Sequence, residues 1–234
     1  MNIDEYQGTA SFYNRYISPF LKQMREDIRT FIYHRRYTRI IDICCGTGDQ
    51  LQMLEGPDME LVGVDNSISM LKQARRNCSA DVQLHLLDAE QHRFSAGEFD
   101  CAIISFGLHE KHPASRKTIF DNTRRLLRQG GAYIIADYSG AASGLRGFLV
   151  AGFLVPVIER CAGKVHYQNY LSWSKQGGLE GFLGRRNEAA DIISQPFGGA
   201  VTCCAITIDD EARTYNKQIA LLNKTFGVET LVRN

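Results

Sequence analysis

The sequence lacks an excess of charge of either sign, and it lacks a long hydrophobic run. Its 27 lysines and arginines balance 26 acidic residues, so no overall field attracts the chain to nucleic acid. The longest apolar run, residues 147–158, is shorter than the roughly 20 residues that a membrane-spanning helix needs. The first nine residues also lack the basic and then apolar layout of a signal peptide. We therefore expect a cytoplasmic protein that binds no nucleic acid.

The chain also lacks a CxxC pair, and its seven cysteines are odd in number. Most of them stand in apolar, strand-like stretches, so we expect buried, reduced thiols and neither disulfides nor metal ligands. The hydrophobic share of 44% and the charged share of 23% exclude a disordered or collagenous chain.

Short apolar segments alternate with helical segments over the first 137 residues. Strands are predicted at residues 38–44, 60–64, 82–87, 100–106 and 132–137, and helices at 50–54, 68–77 and 115–127. Buried strands separated by helices indicate a parallel sheet with right-handed crossovers. Two further strands, at residues 191–195 and 201–208 around a turn at 196–199, predict an antiparallel hairpin. The predicted fold class is therefore doubly wound, Rossmann-like α/β, with a mostly parallel sheet that ends in an antiparallel hairpin.

We interpret residues 1–234 as one domain with three helical additions to the sheet. These are an N-terminal cap (1–37), an insertion on the substrate side (138–186) and a C-terminal extension (209–234). Within the insertion we expect an unusually apolar helix at 145–161 and an irregular stretch at 167–184.

A glycine turn follows the first strand in the segment DICCGTGD, residues 42–49. Gly46 and Gly48 let the backbone turn tightly and approach a ligand closely. The turn departs from the dinucleotide pattern GxGxxG, since Cys44 stands at its first glycine and residue 51 is not glycine. A purely structural turn is the alternative.

Acidic residues close the second and third strands. Asp65 stands roughly 20 residues beyond the turn, where a carboxylate can accept both hydroxyls of a ribose; capping of the next helix through Asn66 and Ser67 is the alternative. Asp88 can accept from an adenine amino group while the Ala89 amide donates to the ring, or it can simply form a turn.

Five segments together resemble the class I S-adenosylmethionine (SAM) methyltransferases. They are IIDICCGTGD, LVGVDNSISMLKQAR, LLDAE, FDCAIISFGLHE and LLRQGGAYIIADYS. The similarity is closest to the ubiquinone/menaquinone-biosynthesis C-methyltransferase family, and it covers roughly residues 9–208. It implies an enzyme that uses SAM as its cofactor and releases S-adenosylhomocysteine.

The resemblance also implies which residues surround SAM. Gly46 and Gly48 would face its methionine part, Asp42 would hold the turn or the amino group, and Ser105 with Phe106 would border the methyl-donating end. The remaining members of the implied site are Tyr13, Tyr16, Cys44, Cys45, Asp65, Asn66, Asp88 and Ala89. The two cysteines would be small wall residues, and the two tyrosines would close over the cofactor, unless they only pack a helix.

The family usually has an Arg-Asn pair after the SFGL segment, where this chain has His109-Glu110. A hydroquinone acceptor must lose a phenolic proton, and an imidazole with an ordinary pKa of ~6.5 could take it directly. We hypothesise that His109 is a base or substrate orienter and that Glu110 holds it or contacts substrate. A loop histidine bonded to backbone is the alternative. Because HEKH is not HExxH, we expect no metal site here.

The apolar insertion could wall an acceptor pocket through Phe148, Tyr170 and Trp173, or it could pack as core or support a homodimer. With the basic 17–36 segment it allows transient contact with an anionic membrane surface; a basic helix face that is simply solvated is the alternative. The sequence thus predicts a SAM-dependent methyltransferase for a small apolar or aromatic acceptor such as a quinol. A polar small molecule, a phospholipid headgroup or arsenite remain alternative acceptors, and a non-catalytic SAM-binding or partner-activating subunit is the alternative class.

Overall fold

The protein is described by a computed structural model that covers residues 21–91 and 94–209. Its strands are β1 (Arg39–Ile43), β2 (Glu60–Asp65), β3 (Gln83–Leu86), β4 (Phe99–Ser105), β5 (Leu127–Tyr138), β6 (Asp191–Ser194) and β7 (Val201–Thr207). The helices on the first half are α1 (Lys22–Arg35), α2 (Asp49–Leu54), α3 (Ile68–Asn77) and α4 (Pro113–Arg125). The later ones are α5 (Gly144–Leu149), a π-helical turn (Val150–Leu154), α6 (Val155–Ala162), α7 (Lys164–Lys175), α8 (Gly178–Gly184) and α9 (Pro196–Gly199).

The strands form one sheet in the order β3-β2-β1-β4-β5-β7-β6. The first five strands pair in parallel, while β7 runs antiparallel to both β5 and β6. This topology confirms the doubly wound α/β class and the antiparallel hairpin. It also brings the carboxyl ends of β1, β2 and β4 to one edge, because strand order reverses between β1 and β4.

A hydrophobic core lies on each face of the sheet, as the alternation of side chains along β1 illustrates. Ile41 and Ile43 belong to one core and Ile40 to the other, and all three are fully buried. Successive strand residues point to opposite faces, so a strand covered on both sides has to be apolar throughout. The regular apolar spacing of α1 buries Met24, Ile28 and Ile32 in the second core.

Two boundaries differ from the prediction near the Gly130-Gly131 pair. The helix expected at 115–127 spans Pro113–Arg125, and the strand expected at 132–137 already begins at Leu127. The glycines form an irregularity within the strand instead of a turn before it. Gly130 has φ +71°, and a side chain at Gly131 would lie 2.7 Å from the carbonyl oxygen of Asp100. The left-handed conformation of Gly130 and the close approach at Gly131 both favour glycine, so the strand is irregular at this pair.

The insertion is more regular than the sequence suggested. The stretch 167–184 was predicted to be irregular, which is wrong, since it lies mostly in α7 and α8. Helical spacing of His166, Tyr170 and Trp173 buries one face of α7, and α8 adds Leu179 and Phe182 to the core. Residues 145–161 are helical as predicted, but a π-helical turn divides the segment into two α-helices.

Some predictions fall outside the described residues. These are the N-terminal cap up to residue 20, including Tyr13 and Tyr16, and the C-terminal extension beyond Asp209. Across residues 21–91 and 94–209, no helix combines the length and hydrophobicity needed to cross a membrane.

Candidate cofactor and acceptor site

The glycine turn after β1 leaves open space on one side and packs tightly on the other. Cys44, Gly46 and Gly48 all have left-handed backbone conformations, with φ of 60°, 54° and 75°. A side chain at Gly46 would meet no atom within 4 Å, so this backbone can approach a ligand. A side chain at Gly48 would lie 2.8 Å from Sγ of Cys78. The expectation that both glycines leave room for the cofactor is therefore corrected: Gly48 makes room for α3 and its C-terminal cap.

Asp65 at the end of β2 is joined to that turn. One carboxylate oxygen accepts a hydrogen bond from the Gly46 amide (2.8 Å), and the other accepts from the Ser67 amide (2.9 Å). Burial raises the pKa of Asp65, while these two hydrogen bonds oppose the shift. The helix that follows is capped by Ser67, whose Oγ accepts from the Met70 amide. Asp65 therefore organises the turn, and its remaining lone pairs are available to two ribose hydroxyls.

Asp42 lies buried at the end of β1, behind the same turn. Burial raises its pKa to about 8, with Arg25 acting against the shift and the negative charges of Asp65 and Asp49 adding to it. A cationic amino group bound beside this carboxyl would favour its charged form. That property fits the role expected for Asp42.

The residues after β2 and β3 are more open. Asn66 is exposed next to Asp65, and Asp88 is exposed, while Ala89 is 6% exposed and belongs to the core. Asp88 accepts a hydrogen bond from the Glu90 amide at 2.9 Å. Asp88 therefore forms a turn, as the alternative predicted. Its carboxylate is exposed and can still accept hydrogen bonds from a ligand.

The end of β4 contributes a buried polar group. Oγ of Ser105 is buried and has no hydrogen-bond partner among the residues that the structure describes. Buried hydroxyls are nearly always paired, so this atom is suited to a bound ligand. Next to it, Phe106 has φ 55° and packs edge-on against Tyr138. Together with Asp65 and the space at Gly46, Ser105 fits a cofactor that carries hydroxyl and amino groups.

The cysteines of the turn are not nucleophiles. Cys44 is half-buried and Cys45 is buried, and burial raises the pKa of both thiols. The second vicinal pair, Cys203 and Cys204, is buried in β7. This burial argues against arsenite as an acceptor, since its capture would need solvent-reachable thiols.

His109 is held between two carboxylates. Its Nδ1 lies 2.7 Å from Oδ1 of Asp137, and its Nε2 lies 3.4 Å from Oε1 of Glu159. Oδ2 of Asp137 accepts hydrogen bonds from the amides of Leu108 and His109, both at 3.1 Å. Glu159 also accepts a hydrogen bond from the Tyr138 hydroxyl at 2.8 Å. Sequence reasoning assigned no role to Asp137 or Glu159, although Asp137 ends β5 as the other acids end their strands.

This environment corrects the expected chemistry of His109. Burial alone would lower its pKa, but the charge and hydrogen bond of Asp137, with the contribution of Glu159, raise the pKa to about 10. The two carboxylates therefore favour the imidazolium form of the ring over the neutral form that a base with the ordinary pKa of ~6.5 would have. It can donate a hydrogen bond or balance a negative charge.

Glu110 does not hold the ring, contrary to one of our expectations. Its carboxylate lies 2.7 Å from Nζ of Lys111 and 3.5 Å from Nδ1 of His166. The carboxylates that contact the ring of His109 are those of Asp137 and Glu159. Glu110 retains the alternative role of a substrate contact as a hypothesis.

His112 does not join His109 in a metal site. It is the N-cap of α4, where its Nδ1 accepts from the Ala114 amide. Within the described ranges, no group of three or more His, Cys, Asp or Glu side chains is arranged to hold a metal ion.

The three predicted acceptor residues have different environments. Trp173 is 1% exposed, and its Nε1 donates to the carbonyl oxygen of Tyr138 at 2.8 Å. Trp173 is therefore a core residue that supports the end of β5, in line with the alternative that this part of the insertion packs as core. Tyr170 is buried against Tyr138, whereas Phe148 is 75% exposed.

A buried arginine, which sequence reasoning missed, fixes the loop that carries His109. Arg116 of α4 is 1% exposed and donates to the carbonyl oxygens of Leu108, His109 and Asn169. Its guanidinium stacks over the Trp173 ring at 5.0 Å. Burial lowers its pKa to about 10. No sequence pattern marks this residue, because its partners are backbone atoms of other segments.

Known proteins match this chain in sequence and in fold. A family model described as a methyltransferase domain matches residues 40–131. A ubiquinone/menaquinone biosynthesis C-methyltransferase from Pseudomonas paraeruginosa is 34% identical over 119 residues, which cover 47% of this chain and 46% of that protein. A demethylmenaquinone methyltransferase from Beutenbergia cavernae is 28% identical over 173 residues, 67% of this chain and 71% of that protein.

A solved structure, the DhpI complex with S-adenosylhomocysteine, has a TM-score of 0.60 at 12% identity. The alignment covers 87% of this chain and 93% of the DhpI chain. The strand order and the site at the switch point define a class I methyltransferase fold. The match of the methyltransferase-domain model to residues 40–131 agrees with the resemblance drawn from the motifs. The chain spans about half the length of the relatives that it matches above 30% identity.

Proposed function

We propose that this protein transfers the methyl group of SAM to a small apolar or aromatic acceptor that carries a hydroxyl, with a quinol as the leading case. The observation that carries the proposal is the position of His109. Its ring lies at the ligand-binding edge of the sheet, it packs at 6.4 Å from the ring of Phe106, and it is enclosed by the apolar insertion. The names of the relatives support a quinol acceptor.

The residues of this chain have two tasks in such a reaction. When bound, SAM supplies an activated methyl group on a sulfonium, so the protein mainly aligns the reactants and excludes water. Alignment of this kind can contribute about 7–11 kcal/mol. Asp65 and the Gly46 backbone would hold the nucleoside and methionine parts, while Ser105 and Phe106 border the reacting end.

His109 would act on the hydroxyl of the acceptor. A ring that donates a charge-assisted hydrogen bond to the acceptor oxygen stabilises the phenolate form, whose ring carbon is the stronger nucleophile. The phenolic proton passes to solvent before the acceptor is enclosed, and the hydrogen on the methylated ring carbon leaves as a second proton when the ring regains its aromatic form. We therefore assign His109 to substrate orientation and charge stabilisation and no longer to direct proton abstraction.

We further propose that the insertion rests on an anionic lipid surface from which an apolar acceptor can enter. Its outward side chains are large and apolar: Leu145 (77% exposed), Phe148 (75%), Leu149 (56%), Phe153 (70%), Leu154 (49%) and Val157 (45%). The exposed charged residues on the same segment, Arg146, Arg160 and Lys164, are all cationic. An apolar face with a cationic rim is the chemistry of a helix that lies in a membrane interface.

The experiment that tests methyl transfer uses methyl-labelled SAM and a short-chain hydroquinone, alongside a cell extract divided into lipid and aqueous fractions. We expect label in the hydroquinone and in the lipid fraction. Asp65→Ala should abolish it, and Asp58→Ala, at an exposed acid away from the site, should leave it unchanged. Label in the aqueous fraction alone would replace the proposed acceptor with a polar molecule. No label, with SAM binding measured separately, would indicate a binding subunit.

A further inference from the structure

The segment 144–162 of the insertion contains a single acidic residue, Glu159, and its side chain is buried. The apolar character of the segment does not explain why a carboxylate is buried there. Glu159 of α6 is 5% exposed, while its neighbour Arg160 is exposed. Burying a carboxylate costs several kcal/mol unless good partners surround it. Its partners here are Nε2 of His109 and the hydroxyl of Tyr138. The Tyr138 hydroxyl at 2.8 Å and the His109 ring at 3.4 Å together stabilise this buried carboxylate.

Glu159 lies on the buried face of α6. A π-helical turn, Val150–Leu154, immediately precedes this helix. Val155 and Glu159 of α6 are buried, whereas Val157 between them is 45% exposed. Glu159 therefore belongs to the side of α6 that packs inward.

We propose that Glu159 is a positioning residue that holds His109 as a charged donor in the acceptor site, and that docking of the insertion brings it there. This inference rests on the proposed function for its catalytic meaning. The ring of His109 then has Asp137 fixed on Nδ1 and a carboxylate from the insertion on Nε2. Nε2 carries a single proton, so an acceptor oxygen that accepts from it replaces Glu159 as the hydrogen-bond partner, while the charge of Glu159 stays beside the ring. The insertion therefore couples enclosure of the site to the charge of the ring.

The other ionisable groups around the ring come from four elements. They are Asp137 and Tyr138 of β5, Arg116 of α4, Glu159 of α6, His166 of α7, and the neighbours Glu110 and Lys111 in the loop. Arg116 contacts the backbone carbonyl of His109 and not its ring. Glu110 pairs with Lys111 and His166, which balance its charge. Asp137 and Glu159 are thus the two charges that act directly on the ring.

The test is an NMR titration of the His109 ring in isotope-labelled protein, assigned with His109→Asn. Wild type should titrate well above the ordinary range, and Glu159→Gln should lower the midpoint by about one unit or more, as expected when an opposite charge at this distance is removed. Glu159→Asp should restore part of the shift. The matched control is Glu188→Gln, which breaks a pair with Arg124 elsewhere and should leave the midpoint unchanged. An unchanged midpoint in Glu159→Gln overturns the proposal.

The rate of methyl transfer gives a second readout. If the charged ring is required, the rate falls as pH rises through the titration of His109, and Glu159→Gln should move that fall to lower pH by the same amount. Should Glu159→Gln fail to fold, Tyr138→Phe removes only the hydroxyl that orients Glu159 and should produce a smaller shift in the same direction. A shifted titration without methyl transfer would reject the proposed function and keep the role of Glu159. Methyl transfer with an unshifted titration would keep the proposed function and reject the role of Glu159.

Discussion

Nδ1 of His109 and Oδ1 of Asp137 lie 2.7 Å apart, although 28 residues separate them in the chain. The other oxygen of Asp137 accepts two backbone hydrogen bonds from the loop that carries His109. One buried carboxylate therefore fixes both the loop and the ring. This pairing raises the pKa of His109, and the first prediction depends on it.

The stability of the protein should fall between about pH 6.5 and pH 10. The folded-state pKa of His109 is raised to about 10, so the folded state binds more protons than the unfolded state across this interval. Stability from the His109 pair is complete below the unfolded pKa and disappears as pH rises through the folded one. Urea unfolding at pH 6, 8 and 10 measures this decline.

Asp137→Asn should weaken that dependence and destabilise the fold by about 3 kcal/mol, since it breaks a buried charge pair. Asp58→Ala, at an exposed acid, is the control and should keep the wild-type profile. Equal pH profiles for wild type and Asp137→Asn would contradict the assignment of the decline to His109.

Asp42 should cause a second decline at lower pH. Burial raises its pKa to about 8, so its contribution to stability falls as pH rises from about 4 to 8, because the folded state resists ionisation. Asp42→Asn should remove this part of the profile and unfold at higher urea concentration at pH 8. The comparison is made without SAM, because the same variant is expected to bind SAM less tightly. A steeper decline in the variant would reject this explanation.

The two glycines of the turn should respond differently to alanine. At Gly46 the new side chain meets no protein atom within 4 Å, so Gly46→Ala should cost only about 1–2 kcal/mol of backbone strain while reducing SAM affinity. At Gly48 it would lie 2.8 Å from Sγ of Cys78, so Gly48→Ala should lose more stability. Calorimetric SAM titration and thermal unfolding of both variants measure the two effects. The reverse order of stabilities would contradict the packing described for Gly48.

The outward face of the insertion should bind anionic vesicles. We expect the protein to sediment with vesicles of phosphatidylglycerol and phosphatidylcholine, and much less with phosphatidylcholine alone or at high salt. Phe148→Ser combined with Phe153→Ser should abolish sedimentation. Tyr33→Ser changes another exposed aromatic residue and is the control. If wild type binds no vesicles but self-associates, and the double variant does not self-associate, this face is instead a homodimer interface.

Much of the sheet and of the cofactor half could be predicted because their signals are local. Solid apolar runs such as 38–44 indicate strands covered on both faces, and glycines at 46 and 48 mark the turn. Asp65 ends β2 and Asp88 follows the end of β3 by two residues, so both lie at the same edge of the sheet because these strands are parallel. The helices α7 and α8 were missed, although Tyr170 and Trp173 carry a helical spacing, because glycines and a mixed composition obscured it.

The sequence by itself determined the class of domain and the edge of the sheet at which the glycine turn and the strand-end acids lie. Only the tertiary structure decided the partners and the pKa of the His109 ring. Its partners Asp137 and Glu159 come from a distant strand and from the insertion. The pKa of a buried ring depends on the charges within a few ångströms and on the exclusion of water. Those neighbours are fixed by packing between remote segments, which no local pattern records.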